Sequence, residues 1–371
     1  MKGQWVGTYE GSNFGNIIIN VDETTDFFRG VAYINDNNLN FPGSVIAFET
    51  PTKKKRTIEF EVNVFPINPI NGMADNWENV QKHFLPNTIF PITAKVKIKW
   101  GTKELKISWK TNIETYGNAT IHKSLSNQPS ELVPLKKSWS HYKKYASEIE
   151  GRQYIFRGQN KPWRLRTSFH RHGRTDLVKF INDDISTLHK HLSARTKHIF
   201  NLQIPDENGA FFNFVQHHGY PTPLLDWTYS PYVAAYFAYR GISSADAKKA
   251  NKNDCVRIHI LDQLNWRKDF IQINQLLTSN LHFSISEFIA IENERIIPQQ
   301  AISSVTNIDD IETYIKKLEE NGKTYLTAID LPIKERDKVI SELQHMGITP
   351  GSLFPGYDGT CEEIKQRLFK I

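Results

Sequence analysis

Only two cysteines, Cys255 and Cys361, stand in 371 residues, too few for a disulfide framework and too few for a thiolate-rich zinc site. That scarcity suits a reducing compartment. Long apolar runs are missing as well. The longest, around Val233 to Ala238, falls far short of the roughly 20 residues a helix needs to cross a bilayer. The opening Met-Lys-Gly-Gln-Trp-Val-Gly carries no apolar core of the signal-peptide kind. Together these absences lead to the expectation of a cytoplasmic protein with no membrane partner. Neither sign of charge prevails strongly: 46 Lys and Arg against 40 Asp and Glu leave a formal +6, which favours encounters with polyanions without requiring one. Internal repeats and low-complexity segments are also lacking.

What is present is a globular composition, 39% apolar with 12% aromatic residues, on a chain longer than the roughly 250 to 300 residues that one core usually organises. Two domains follow. From Trp5 to Ile121 the apolar residues alternate, as in Ile17-Ile19-Val21, Ile58-Phe60-Val62-Val64 and Ala94-Val96-Ile98-Trp100, a period that puts neighbouring side chains on opposite faces of a sheet. Gly, Asn, Asp and Pro punctuate the intervals. Residues 1–125 are therefore expected to form an antiparallel β barrel or sandwich of seven or eight strands, with either a filled core or a binding cavity inside. Lys95, Lys97 and Lys99 fall on the outer face of one strand and join Lys53-Lys54-Lys55-Arg56 as either a solvated surface or a contact for nucleic acid. Ser, Asn, Gln and Pro then break the periodicity, which predicts a linker over 126–137 and a second domain over 138–371.

In the second domain helix and strand signals mix. Ser230-Pro231 suits a helix start and Gly241 its exit. A further helix is expected after Pro332, with Val339, Ile340 and Leu343 on its apolar face and Gly347 as its stop. Thr360 and Glu363 have capping-box spacing ahead of a last amphipathic helix. Tyr154-Ile155-Phe156 reads as a short strand ending at Arg157, and Gly158 would let a ligand or another backbone come close. A guanidinium there suits a diphosphate or a carboxylate, or else a structural ion pair with Asp226. The helix start beside Asp226-Trp227-Thr228 would offer free amides to an anion, and Trp227 would serve either as a stacking surface or as core. His217 and His218 lie about 100° apart on a helix, which argues against a shared metal.

These segments, Tyr154 to Gln159 and Gln216 to Thr228 with the Ser230 helix, are followed by Arg295-Ile296-Ile297-x-Gln299-Gln300 and Leu353-Phe354-Pro355-x-x-Asp358-Gly359. In that order they resemble the FRG-domain family, whose name comes from the Phe-Arg-Gly at 156 to 158. Pro223 stands where the family more often carries Arg, and Ala301 where Gly is usual. The resemblance implies an α+β domain similar to the ADP-ribosyltransferase fold, an NAD-consuming transferase or glycohydrolase activity without a metal, and a role as a toxin or phage-defence effector. It points to Arg157, Thr228, Gln299, Gln300 and Glu294 as catalytic. Phe156, Gly158, Gln159, His218, Asp226, Trp227 and Ser230 would bind NAD, with a protein or nucleic acid as acceptor. Glutamine cannot take a proton as a carboxylate does, so a base would have to come from Glu287, Glu292, Glu294 or Asp358. The alternative is a non-catalytic module that senses a nucleotide or phosphate ligand, with a β domain that binds a partner.

Overall fold

The computed structural model describes residues 1–319 and 322–369. The first half of the alternating pattern forms β1 (Gly3–Gly11), β2 (Phe14–Glu23), β3 (Phe28–Asp36), β4 (Ser44–Glu49), β5 (Thr57–Asn63) and β6 (Phe65–Pro66). After a coiled stretch come β7 (Thr93–Trp100), β8 (Glu104–Thr111) and β9 (Tyr116–His122). They make one nine-stranded antiparallel sheet in the order β5-β7-β8-β9-β1-β2-β3-β4-β6. The ninth strand is the two-residue β6, too short to announce itself by alternation. β4 and β5 come alongside each other without a ladder, so the sheet curls into a nearly closed barrel.

The two ends of this barrel differ. Trp5, Phe28, Trp100, Leu105 and Ile121 are all buried and plug the end that holds the chain start; the Phe28 and Trp100 rings meet edge to face at 5.6 Å. The other end carries the β1–β2, β3–β4 and β8–β9 turns and the stretch 85–92. On the outer face, Lys95 lies opposite Glu61 and Lys97 opposite Glu59 on β5, while Lys95 and Lys99 lie opposite Lys110 and Lys106 on β8, so the lysine row is an exposed surface with carboxylates on one side and lysines on the other.

The second domain is built on a seven-stranded sheet ordered β10-β16-β13-β11-β12-β15-β14. Its strands are β10 (Leu135–Lys136), β11 (Tyr154–Gln159), β12 (Leu224–Thr228), β13 (Cys255–Asp262), β14 (Phe283–Ser286), β15 (Ala301–Thr306) and β16 (Leu326–Pro332). All neighbours are antiparallel except β10 with β16. The helices that matter below are α1 (Trp139–Glu148), α2 (Pro205–His217), α3 (Pro231–Tyr239), α4 (Ile311–Leu318), α5 (Arg336–His345) and α6 (Tyr357–Phe369). One face of the sheet packs on α1, α3 and α5 through residues such as Trp139, Tyr142, Ala234, Ala238, Val339 and Leu343. The other carries Trp227 and packs on Trp266, Ile311 and Ile315.

Three local expectations are corrected. The segment 126–137 is not a free tether: Ser126 is buried and donates to Asp309, and Leu135–Lys136 add a strand to the sheet. Pro332 is the last residue of β16 and not part of a first α-helical turn: a 3-10 turn over Ile333–Glu335 follows it, and α5 begins at Arg336. Thr360 lies inside α6, where its hydroxyl donates to the Gly356 carbonyl. Glu363 instead reaches Thr349 and the Gly351 amide, because the capping box belongs to Thr349 and Ser352 one element earlier.

The domains share a buried seam. Asp22 of β2 accepts from Arg174 Nε at 2.5 Å, from the Thr175 amide at 2.7 Å and from the Asp176 amide at 3.2 Å. Gln4 donates to the Asn307 carbonyl at 2.7 Å and accepts from the Asp309 amide at 2.9 Å. Ile18, Val31, Tyr33, Val45 and Ile67 on the outside of the barrel pack together with Val178 and Leu281. This is why β2 is buried on both faces, where the alternation alone predicted one.

Candidate functional site

The site arises where two neighbouring strands part. β11 is paired along its whole length with β13, and β12 with β15, but β11 and β12 share a single position, Phe156 opposite Thr228. Beyond it the sheet opens, and the residues that follow Phe156 face a gap. Arg157 spans it: Nη1 donates to the Asp226 backbone carbonyl at 2.5 Å. Its Nε is buried with no partner among the described residues, an unmet donor of the kind that native interiors rarely leave. Burial pushes the guanidinium down to about 10; the Asp226 charge opposes that, and Arg171 adds to it. It remains cationic at neutral pH.

Two cavities, of about 280 and about 290 Å³, share Arg157, Gly158 and Phe237 in their linings. The first also takes in Asp226, Gln216, His217, Arg295, Gln299 and Phe354. Asp226 is the one acid among its described lining residues. Its carboxylate is held by Gln216, whose amide Nε2 donates to it while Oε1 accepts from the buried Thr222 hydroxyl. Arg295 donates to the His217 carbonyl at 2.7 Å and stands 5.3 Å from the centre of the Phe354 ring. His217 is pushed below the ordinary histidine range by burial, and its Nδ1 meets the Asn293 amide at 2.6 Å.

The second cavity is lined by four arginines, 157, 164, 171 and 240, and by no acid among the described residues. Arg164 is tied to Asp310 at 3.1 Å and Arg240 to Glu362 at 2.9 Å. Arg171 makes no ion pair among the described residues. A ligand lying across both chambers would thus carry negative charge at their junction and meet one carboxylate on one side.

Arg157, Thr228 and Gln299 are brought together around the first cavity, as are Phe156, Gly158, Asp226 and Trp227, while Gln159 faces the second. Their roles differ from those expected. Gly158 admits a backbone, not a ligand: a Cβ there would lie 1.9 Å from the Ala234 carbonyl oxygen, so the glycine is what lets α3 sit on β11. The Asp226 side chain forms no ion pair with Arg157, which takes the carbonyl instead. Trp227 is no stacking surface. Its ring is 2% exposed, packs on Phe283 and donates from Nε1 to Ser304 at 3.1 Å, because alternation along β12 turns 225 and 227 into the opposite core. The Thr228 hydroxyl is engaged on both sides, donating to the Gln299 carbonyl at 2.7 Å and accepting the Ser230 amide at 3.0 Å. The Gln299 amide donates to the Leu353 carbonyl at 2.8 Å.

The start of α3 does not open into either cavity. Ser230 is buried and caps the Val233 amide, and the helix offers Ala234 and Phe237, its flank, to the first chamber. His218 is exposed and lies at the helix C-terminus against Phe214, so His217 lines the site in its place. Gln300 is exposed in a left-handed conformation, φ 47°, where its amide donates to the Ile297 carbonyl and its own carbonyl accepts from the Tyr229 amide. Glu294, Glu287, Glu292 and Asp358 are all exposed and outside both linings. Glu287 holds the Tyr229 hydroxyl and Glu292 the His198 amide.

Sequence reasoning missed Gln216, Arg295, Phe354, Arg171 and Arg240 as site residues. Gln216, Arg295 and Phe354 each stood inside a segment singled out for its motif. Arg240, just before the helix-ending Gly241, and Arg171 gave no such signal. Among the described residues no group of three or more His, Cys, Asp or Glu is placed to hold a metal ion, and no helix is long and apolar enough to cross a membrane.

Comparison with known proteins agrees with the motif reading over one stretch. Residues 152–247, which carry Arg157, Gln216, Asp226, Thr228 and α3, match the family model described as FRG domain. No curated protein and no solved structure matches the chain.

Proposed function

We propose that the paired cavities bind a dinucleotide, with NAD as the substrate, and that the protein cleaves the bond between nicotinamide and ribose in the manner of an ADP-ribosyltransferase or NAD glycohydrolase. The observation that carries this reading is the junction at Arg157, where an unpartnered, buried guanidinium nitrogen sits between one chamber holding a single carboxylate and another holding arginines. A diphosphate at the junction would give Arg157 the bidentate partner its fork suits, with a nucleoside in each chamber.

Cleavage of a glycosidic bond to nitrogen builds positive charge on the ribose, as in an oxocarbenium-like state. Asp226 is the group in the first chamber that can stabilise that charge, and its orientation is fixed by Gln216 and Thr222. Phe354 also lines this chamber, but Arg240 at 4.1 Å and Arg295 at 5.3 Å lie over its ring, so it bounds the space for a base without offering a free stacking face. A toxin or phage-defence role would follow from depleting a cell's NAD or modifying a cellular protein or nucleic acid.

A second reading, nucleotide binding without turnover, is favoured by the engagement of Thr228 and Gln299 in bonds within the protein. One experiment separates the two. Purified full-length protein is incubated with NAD, nicotinamide release is followed by chromatography, and NAD binding is measured by calorimetry. Release that is lost in Asp226→Asn supports the enzyme; tight binding with no release supports the sensor. Absence of both, or NAD affinity unchanged in Arg157→Ala, removes the dinucleotide site altogether.

A further inference from the structure

The barrel contains a cavity of about 550 Å³, larger than either chamber of the other domain and well beyond the few water-sized voids that close-packed interiors tolerate. Its wall is apolar: Ile17, Ile19, Phe48, Val62, Val96 and Ile98 face it from six positions on four different strands. Water inside would find few partners there, and large apolar cavities of that kind favour an apolar guest. The residues that plug one end of the barrel, Trp5, Phe28, Trp100 and Leu105, are not among the lining. All of the polar lining residues, among them Ser12, Asp36, Asn87 and Thr115, belong to the opposite end or its turns, save Tyr9, whose hydroxyl donates to Asp36 at 3.3 Å. The cavity is therefore a cup with an oily floor and a polar mouth.

The mouth is also where apolar side chains are left in water. Phe41, Leu85 and Ile89 line the cavity and are 44%, 66% and 73% exposed. Asp36 is the only charged residue among the described lining residues, so the mouth offers a hydrogen-bond acceptor of negative charge and no cation. A carboxylate or phosphate head would meet repulsion there, whereas a hydroxyl or an ammonium would find a partner.

We propose that the barrel is a binding site for a small amphipathic molecule, one with an apolar tail that fills the cup and an uncharged or cationic head that reaches Asp36 at the mouth. The site is independent of the dinucleotide reading, since it shares no residue with it.

The test uses the full-length protein and the neutral fluorescent probe N-phenyl-1-naphthylamine, displaced in turn by 1-dodecanol, dodecylamine and dodecanoate. Saturable binding with one probe per chain is expected, with dodecanol and dodecylamine displacing it at concentrations at least about tenfold lower than dodecanoate. Ala94→Phe places a ring in the cup and should weaken probe binding by tenfold or more. Ile89→Asp at the exposed mouth, which leaves the interior untouched, should weaken it severalfold with no change in thermal stability. Asp36→Asn should narrow the gap between dodecanol and dodecanoate. Probe emission that does not saturate, or affinity unchanged in both Ala94→Phe and Ile89→Asp, would overturn the site. Dodecanoate displacing as well as dodecanol would overturn the assignment of the head group.

Discussion

Arg157 reaches across the parting of two strands to the backbone carbonyl of Asp226, 2.5 Å away, and so ties the one cation and the one acid of the first chamber that stand nearest the break in the sheet. The same guanidinium keeps Nε free of partners among the described residues. It is a strut with one donor left over.

Arg157→Lys should therefore separate those duties from simple charge. Lysine keeps the cation but not the planar fork, and a lost hydrogen bond to a charged ligand group costs about 1.5–3 kcal/mol. ADP affinity measured by calorimetry is expected to fall roughly tenfold to a hundredfold, and Arg157→Ala to fall at least as far. Equal affinity in the lysine variant would show that the fork is not used.

Asp226→Asn preserves shape and removes charge. If the carboxylate stabilises a cationic ribose, nicotinamide release should drop about a hundredfold or more while KM for NAD changes little, the pattern of an interaction made in the transition state. A rise in KM with kcat unchanged would instead make Asp226 a binding group.

Gly158→Ala tests the packing of α3. The added methyl would stand 1.9 Å from the Ala234 oxygen and 2.6 Å from the Ala238 nitrogen, so the helix must shift. Overpacking of that kind costs about 1–3 kcal/mol or more, read as a lower midpoint in chemical denaturation. Gly151→Ala, with nothing within 4 Å of the new atom, should be close to neutral.

Stability should also fall as the pH drops. His170 is buried with Nδ1 against the Thr167 hydroxyl at 2.7 Å, and burial pushes it down from 6.5 to about 4; Asp309 and Asp22 work against that and Arg166 with it. The folded state thus needs a neutral ring. Above about pH 6.5 folded and unfolded chains bind the same proton count at this site. Between there and about pH 4 the unfolded chain binds more, so stability declines by at most ~3 kcal/mol from this group and then levels off. His282, likewise pushed down to about 4 by burial, adds to the decline. Thermal melts from pH 7 to 4.5 should show it, and His170→Asn should flatten part of the slope.

Asp22→Ala removes the acceptor of three hydrogen bonds at the domain seam. Losing one member of a buried charged set costs about 3–5 kcal/mol. Calorimetry should show a lower unfolding temperature, with the barrel and the second domain melting less cooperatively.

Much of the architecture was legible in the residues. Alternation from Trp5 onward gave the β domain, and Ser230-Pro231 with Gly241 framed α3, because caps and period two are local. The site was only partly legible. Arg157 and Asp226 stood in marked segments, but which neighbour turns toward the gap depends on register: Trp227 and Thr228 are adjacent in sequence and sit on opposite faces of β12. His217 and His218 likewise diverge at a helix end. The residues point to Glu287, Glu292, Glu294 or Asp358 as the acid of the site, and all four are surface residues, since position along the chain says nothing about which carboxylate the fold turns inward.

The double burial of β2 has an awkward corollary for anyone wishing to study the halves apart. Cutting after His122 would strip Val178 and Leu281 from Ile18, Val31 and Tyr33, leaving the excised barrel with a greasy flank whose easiest remedy in solution is self-association. The same strand presents Ile17 and Ile19 to the cup and Ile18 and Asp22 to its neighbour, so any swelling of the barrel would be felt, one residue away, by the companion that leans on it.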